Sequence, residues 1–341
     1  MKVLGIESSC DETAAAVVES GRKVLSSVVA SQVEAHAEFG GVVPDLAARM
    51  HIESIAAVVT KAVEEAGCGL DGLDAIAVTR APGLIGSLLV GVGYAEGLAL
   101  ARGLPIYGVD HIEGHIWSGF MADPELEPPL LALVVSGGHT ALYRYDGPGR
   151  VRMISRTVDD AAGEAFDKVG ALLGLPYPGG PAIQRAAEGG DPKAIRFPRG
   201  RVKNKPLHFS FSGLKTAVLY ELKGQDGRRA DETRSEHDTA DVAASFQAAV
   251  VDSLSRRAFK ALDQEQLKTL VVCGGVAANR ALRERLKREA GRRKVRLVIP
   301  PLELCTDNAV MIAGLALAGI EAGVEPTGLG MDAKARSGLS R

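Results

Sequence analysis

Two stretches of the chain repeat one order of residues, and the repeat limits the fold more than any other feature. Lys2–Ile6 is a short apolar run, followed by the polar turn Glu7-Ser8-Ser9-Cys10-Asp11-Glu12-Thr13 and a second apolar run, Ala14–Val18. Roughly 130 residues later the order returns as LLALVV from Leu130, Ser136-Gly137-Gly138-His139-Thr140, then Ala141–Tyr145. Apolar runs bracketing a small-polar turn predict a β-hairpin. A hairpin recurring at that distance is far outside solenoid periods of about 20–50 residues, so it predicts a duplicated domain. The length of 341 residues fits about two domains.

A third unit joins the buried run Thr269–Cys273 to Gly274-Gly275-Val276-Ala277-Ala278-Asn279 and a helical stretch, Arg280–Glu289. Three- and four-residue apolar spacing predicts helices over Ala47–Ala66, Gly86–Arg102, Ala161–Leu173 and Ala240–Leu262. Strands alternating with helices give an α/β class. The Pro-rich stretch Asp123–Pro129 is the expected linker. The expected domains are a first lobe at 1–125 with the apolar helix 307–323 packing back on it, a second lobe at 126–306, and a tail at 324–341.

Composition excludes several function classes. The four cysteines, at 10, 68, 273 and 305, make no CxxC pair, which argues against a zinc ribbon, an iron–sulfur site or a disulfide framework. The N-terminus is unlike a secretory leader, and the uncharged runs Ala81–Ala95 and Asn308–Ile320 fall short of the ~20 residues of a membrane span. A reducing cytoplasm and no membrane are therefore expected. Aromatics are 4% of residues, too few for a stacking platform. Net charge is −2, but Arg256–Arg296 holds thirteen basic and four acidic residues, and Arg185–Lys215 holds eight and two. Each run alone reads equally as a solvated helix face; two in one half favour a basic surface.

The sharpest local pattern is His111-Ile112-Glu113-Gly114-His115. Histidines at i and i+4 share a helix face and can grip one metal, or pack as a core pair. The protease pattern HExxH needs Glu directly after the first His, and Glu113 comes one place later. Thr306 or Asp307 is the expected N-cap of the helix Ala309–Ala322; Asp307 is alternatively a metal ligand. The small-polar turns suit anions, though Asp11 and Glu12 would repel a bare phosphate. Pro178-Gly179-Gly180-Pro181 predicts a rigid turn with an open backbone face. Asp167 reads as a solvated carboxylate or an acceptor for ribose hydroxyls. His36, His51, His208 and His237 show no ligand pattern.

SSCDET, HIEGH, VSGGH, GEAFDK, YPGGP, FSFSGLKTA, CGGVAAN and CTDNAVMIA stand in order across residues 8–313. Together they resemble the bacterial TsaD family, the tRNA N6-adenosine threonylcarbamoyltransferases once called glycoproteases. The resemblance implies a two-lobed actin-like ATPase/sugar kinase superfold with duplicated RNase H-like domains. It implies transfer of threonylcarbamoyl from threonylcarbamoyl-adenylate to N6 of the adenosine 3′ of the anticodon in tRNAs reading ANN codons, releasing AMP. It carries metal ligands onto His111, His115 and Asp307, with Fe(2+) the usual ion, one per subunit, and zinc or magnesium as alternatives. It carries substrate binding onto Val134, Val135, Ser136, Gly137, Gly138, Asp167, Gly180 and Asn279. Some members have aspartate at the place of Gln184, which is left out, and nothing is carried beyond Gly323. Implied partners are tRNA, TsaB-like and TsaE-like proteins, and a TsaC-like synthase that makes the adenylate. Asp11 and Glu12 are candidate proton acceptors. The rival readings are a small-molecule kinase of the same superfold, a metalloprotease and a non-catalytic scaffold.

Overall fold

The computed structural model describes residues 1–224 and 238–340; His237 lies outside them. The chain forms two compact units. Met1–Pro128, Tyr145–Arg152 and Pro300–Arg341 make the first, and Pro129–Arg144 and Met153–Ile299 the second.

In the first unit, strands β1 (Lys2–Glu7), β2 (Glu12–Glu19), β3 (Lys23–Ser31), β4 (Ala75–Ala81) and β5 (Ile106–Asp110) lie in the order β3-β2-β1-β4-β5. β1 pairs antiparallel with β2 and parallel with β4, so the predicted hairpin sits at the sheet's centre. Helices α1 (Val33–Ala37), α2 (Pro44–Glu65), α3 (Ile85–Arg102) and α4 (His111–Ala122) follow. The second sheet comprises β6 (Leu130–Val135), β7 (Thr140–Tyr145), β8 (Val151–Arg156), β9 (Thr269–Cys273) and β10 (Arg296–Val298). Its order, β8-β7-β6-β9-β10, matches the first sheet strand for strand. The duplication expected from the two hairpins thus extends to whole sheets. Helices α5 (Ala162–Leu172), α6 (Gly179–Ala186), α7 (Ser212–Lys223), α8 (Thr239–Glu265) and α9 (Arg280–Arg293) belong to the second unit. Helices α10 (Leu302–Cys305) and α11 (Ala309–Glu321) return to the first.

β1 and β2 are almost wholly buried, as central strands covered on both faces must be, hence their continuous apolar runs. One core joins Leu4, Ile6 and Val17 to Ile55 and Val59 of α2. On the other side α11 lies against β1. A Cβ on Gly5 would come 2.7 Å from Ala313 N, so only glycine admits α11 this close. α3 is long and apolar enough, by length and composition, to cross a membrane; here it packs on β4 and α2.

In the second unit Asp159 fastens the FSFSG segment. Its Oδ1 accepts from Phe211 N at 2.7 Å, and its Oδ2 accepts from Ser210 Oγ at 2.6 Å and Ser212 Oγ at 2.8 Å. Burial pushes its carboxyl up, but these donors outweigh burial and hold it below the ordinary value. A depressed carboxylate contributes stability above its unfolded pKa and loses it as pH falls through the folded pKa. Asp159→Asn should therefore lower Tm at pH 7, with the difference from the parent closing below about pH 4. A gap that persists unchanged at low pH in thermal scans would contradict this role.

Candidate metal centre and ligand turns

In the first unit β1 and β5 both run parallel to β4, one on each side of it, so the turn after Glu7 and the start of α4 lie at the same end of the sheet. Asp110 caps α4, its Oδ1 accepting from Ile112 N at 2.9 Å and Glu113 N at 3.2 Å. The cap places His111 at the first helical position and His115 one turn on, their ring centroids 4.5 Å apart. The loop between α10 and α11 brings in Asp307, whose Oδ1 lies 3.0 Å from His115 Nε2 and 3.5 Å from His111 Nε2. One ligand atom from each of the three lies within 4.8 Å of the others.

The residues fit a metal. His115 is fully buried, and neither ring nitrogen has a hydrogen-bond partner; its approach to Asp307 lacks hydrogen-bond geometry. Leaving such atoms unsatisfied costs about 1–3 kcal/mol each. Two imidazoles and one carboxylate, with further positions open, are a donor set for Fe(II) or zinc. Burial alone would lower the pKa of His111, but Asp307 and Glu7 carry it up to about 9, so the pocket's field favours a cation.

Sequence reasoning missed Glu7, which is fully buried. Its Oε2 lies 3.0 Å from His111 Nδ1 and accepts from Thr79 Oγ1 at 2.5 Å, while Oε1 accepts from Ser9 N at 2.5 Å. An acid closing a strand whose interior is otherwise apolar or glycine was the available signal.

Glu113 faces away from this group. Its Oε1 accepts from Gly149 N at 2.6 Å, and burial pushes its carboxyl up to about 7. Asp11 and Glu12 are half-buried in the turn. Burial, then Asp307 and Asp11, push Glu12 up to about 10. His51, read as patternless, braces this turn: its Nδ1 is 2.7 Å from Thr13 Oγ1 and its Nε2 3.0 Å from Cys10 O. The α11 cap is neither Thr306 nor Asp307. Asn308 Oδ1 accepts from Met311 N at 3.0 Å, which leaves Asp307 outside the cap.

In the second unit β6 and β9 are parallel neighbours, so Ser136–Gly138 and Gly274–Asn279 follow at one edge, where α/β folds hold ligands. The Ser136 hydroxyl accepts from His139 N at 3.1 Å, and Gly137 and Gly138 are exposed. Val134 and Val135 are buried in β6, leaving only their main chain for a ligand. α5 approaches the turn closely, Gly163 N donating to Ser136 O at 3.2 Å. Pro178-Gly179-Gly180-Pro181, expected as a rigid turn with an open backbone face, forms the start of α6; Asp167 Oδ1 accepts from Gly179 N at 2.8 Å, and Gly180 keeps open space. Asn279 caps α9, its Oδ1 accepting from Leu282 N at 3.0 Å and its Nδ2 donating to Gln247 Oε1 at 2.8 Å.

The family model described as TsaD, tRNA N6-adenosine threonylcarbamoyltransferase, matches residues 23–314. A tRNA N6-adenosine threonylcarbamoyltransferase of Trichlorobacter lovleyi is 55% identical over 335 residues, covering 98% of this chain and 96% of its own. Those of Geobacter sp. strain M21 (56% identity; 92% and 90% covered) and Clostridium botulinum strain Hall (51%; 93% and 92%) are similar. Among solved structures, HypF of T. kodakarensis matches with a TM-score of 0.64 at 14% identity, over 94% of this chain and 48% of that one. Component A of the (R)-2-hydroxyglutaryl-CoA dehydratase of Acidaminococcus fermentans matches at 0.56 and 15%, over 95% and 99%. At such identities these two share the fold alone.

Proposed function

The chain belongs to the TsaD family of tRNA N6-adenosine threonylcarbamoyltransferases, and from that premise we propose how its residues divide the work. The enzyme is an acyltransferase. It moves threonylcarbamoyl from threonylcarbamoyl-adenylate to N6 of adenosine 37 in tRNAs reading ANN codons, and AMP leaves. Its two sheets are those of the actin-like ATPase/sugar kinase superfold with duplicated RNase H-like domains.

The observation that carries the proposal is His115, buried with both ring nitrogens unbonded beside Asp307 and His111. We assign those three as ligands of Fe(II), one per chain, with zinc or magnesium as alternatives. A bound ion would supply Lewis acidity and open positions for substrate oxygens. In the second unit the Ser136 hydroxyl and the N–H groups of Gly137 and Gly138 hold the adenylate phosphate, by hydrogen bonds that cost no reorganisation. Asp167, Gly180 and Asn279, with the main chain of Val134 and Val135, hold the rest. In the reaction an N6–carbon bond forms, the carbon–oxygen bond to the phosphate breaks, and the N6 proton passes to an acceptor, for which Asp11 and Glu12 are the candidates; Glu12, pushed up to about 10 without an ion, would serve only where a bound cation offsets the charges of Asp307 and Asp11. The leaving group is a phosphate, so it needs little protonation.

The tRNA backbone needs cations without competing acids. In the second unit Arg201, Lys203, Lys205, Arg257 and Lys260 line a cleft of about 800 Å³. Arg257 forms its floor, donating to the carbonyls of Arg199, Gly200 and His208, so the 199–208 loop is fixed around it. Replacing Lys203, Lys205 and Lys260 with glutamine should raise KM for tRNA at least tenfold, leave kcat intact and flatten the log–log salt slope by up to about 3. An unchanged slope would place the tRNA elsewhere.

We also assign TsaB-like and TsaE-like partners, a TsaC-like synthase as the source of adenylate, and the cytoplasm as the compartment. Ile52 on α2 and Ile85, Leu89 and Leu100 on α3 are exposed apolar side chains, suited to docking the TsaB-like protein. The purified chain should transfer poorly alone and improve several-fold on adding it, and Leu89→Asp should abolish that gain. Full activity of the lone chain would contradict this.

A further inference from the structure

We infer that Glu7 is the positioning residue of the metal centre, fixing the tautomer and orientation of His111. The inference rests on the metal reading above and adds a residue to it. Glu7 closes β1, where both faces of the strand are buried and the other residues of the strand's interior are apolar or glycine. A carboxylate there costs several kcal/mol unless it is paired and hydrogen-bonded. It is: one oxygen takes Ser9 N–H, and the other takes Thr79 Oγ1–H and faces His111 Nδ1. Among the described residues, its ion-pair partner is His111. An ionised carboxylate only accepts, so the proton of this contact sits on His111 Nδ1. The lone pair of the neutral ring is then on Nε2, the nitrogen 3.5 Å from Asp307 Oδ1 and on the side of the ligand group. Ser9 Oγ, 3.2 Å from the same Nδ1, reinforces this hold. His115 has no such support on either nitrogen. The two histidines are therefore unequal. His111 is pre-oriented from outside the centre, whereas His115 approaches only Asp307 of the centre itself, at 3.0 Å without hydrogen-bond geometry, until an ion binds. Carboxylate support of this kind orients a ligating histidine and raises its basicity.

The test is titration of metal-stripped protein with Co(II), followed by its visible spectrum, with circular dichroism as the fold control. Glu7→Gln keeps the size but sets an amide against Nδ1–H, and should weaken Co(II) binding 10–100-fold. Glu7→Asp restores a carboxylate and should recover part of that loss, which a merely structural role would not do. Parent affinity in a folded Glu7→Gln protein would overturn the inference. If that variant does not fold, 15N spectra of histidine-labelled parent protein loaded with Zn(II) decide. They should show His111 bound through Nε2 with a slowly exchanging Nδ1–H, and binding through Nδ1 would overturn the inference. A parent that takes up neither ion would instead overturn the metal reading, and this inference with it.

Discussion

Replacing His115 with alanine should strip the centre of metal and slow transfer at least about 100-fold, beyond the 10–100-fold typical of losing a residue that only supports a ligand. The imidazole is fully buried on α4, which packs against α11, and it has no hydrogen bond to lose. Truncation removes two unsatisfied nitrogens, a gain of about 1–3 kcal/mol each, and leaves a cavity, a cost of about 2–5 kcal/mol, so the two roughly offset each other. The metal-free variant should therefore melt within a few degrees of the metal-free parent. The metal-loaded parent should gain stability that the variant cannot, about 2.7 kcal/mol at a metal concentration 100 times Kd. Metal content by mass spectrometry, thermal scans with and without metal, and single-turnover transfer together check this. A variant that keeps near-parent metal and transfer would make the pair a core contact. Asp307→Ala should behave alike without loosening α11, because Asn308 holds the cap.

The second large effect is expected from Gly163→Ala. A Cβ there would lie 2.6 Å from Ser136 O and 2.7 Å from Gly137 Cα, and neither backbone atom can yield without moving the turn. Overpacking of this kind costs about 1–3 kcal/mol and displaces the donors assigned to the adenylate phosphate. KM for the adenylate should rise more than tenfold while metal content stays at the parent's level, since the metal ligands all belong to the first unit. Gly137→Ala is the complementary probe. Its Cβ meets nothing within 4 Å in the chain, so the protein should fold and melt like the parent. Weakened adenylate binding in that variant would then come from the ligand's own approach to the backbone. Parent-like adenylate binding in both variants, measured by calorimetry, would remove the turn from the site.

The fold was legible because its central strands carry a repeated pattern. β1–β2 and β6–β7 both read as apolar runs around a small-polar turn, and the matching sheet orders follow from that repeat. His111 and His115 were legible because helix geometry alone puts i and i+4 on one face. Asp307 was not: nothing local separates it from a cap, and its meeting with His115 depends on α11 lying along β1, which Gly5 permits. Resemblance, not spacing, pointed to it. Glu7 escaped for a related reason. A single acid at a strand end carries no periodicity, and its three partners come from β4, from the adjoining turn and from α4. The PGGP stretch reads as a rigid turn with an open face, and the open space at Gly180 agrees with that; that it also starts a helix docked by Asp167 was not legible, because that contact joins separate segments.

The most direct test of the central claim is transfer by the metal-stripped parent protein. Threonylcarbamoyl-adenylate, tRNA and the TsaB-like and TsaE-like partners would be mixed with protein before chelation, after chelation, and after Fe(II) is restored without oxygen. N6-threonylcarbamoyladenosine in digested tRNA and metal per chain would be measured on the same samples. Loss of product together with metal, and recovery of both at one ion per chain, is the predicted result. Undiminished product from protein that contains no metal would contradict the account.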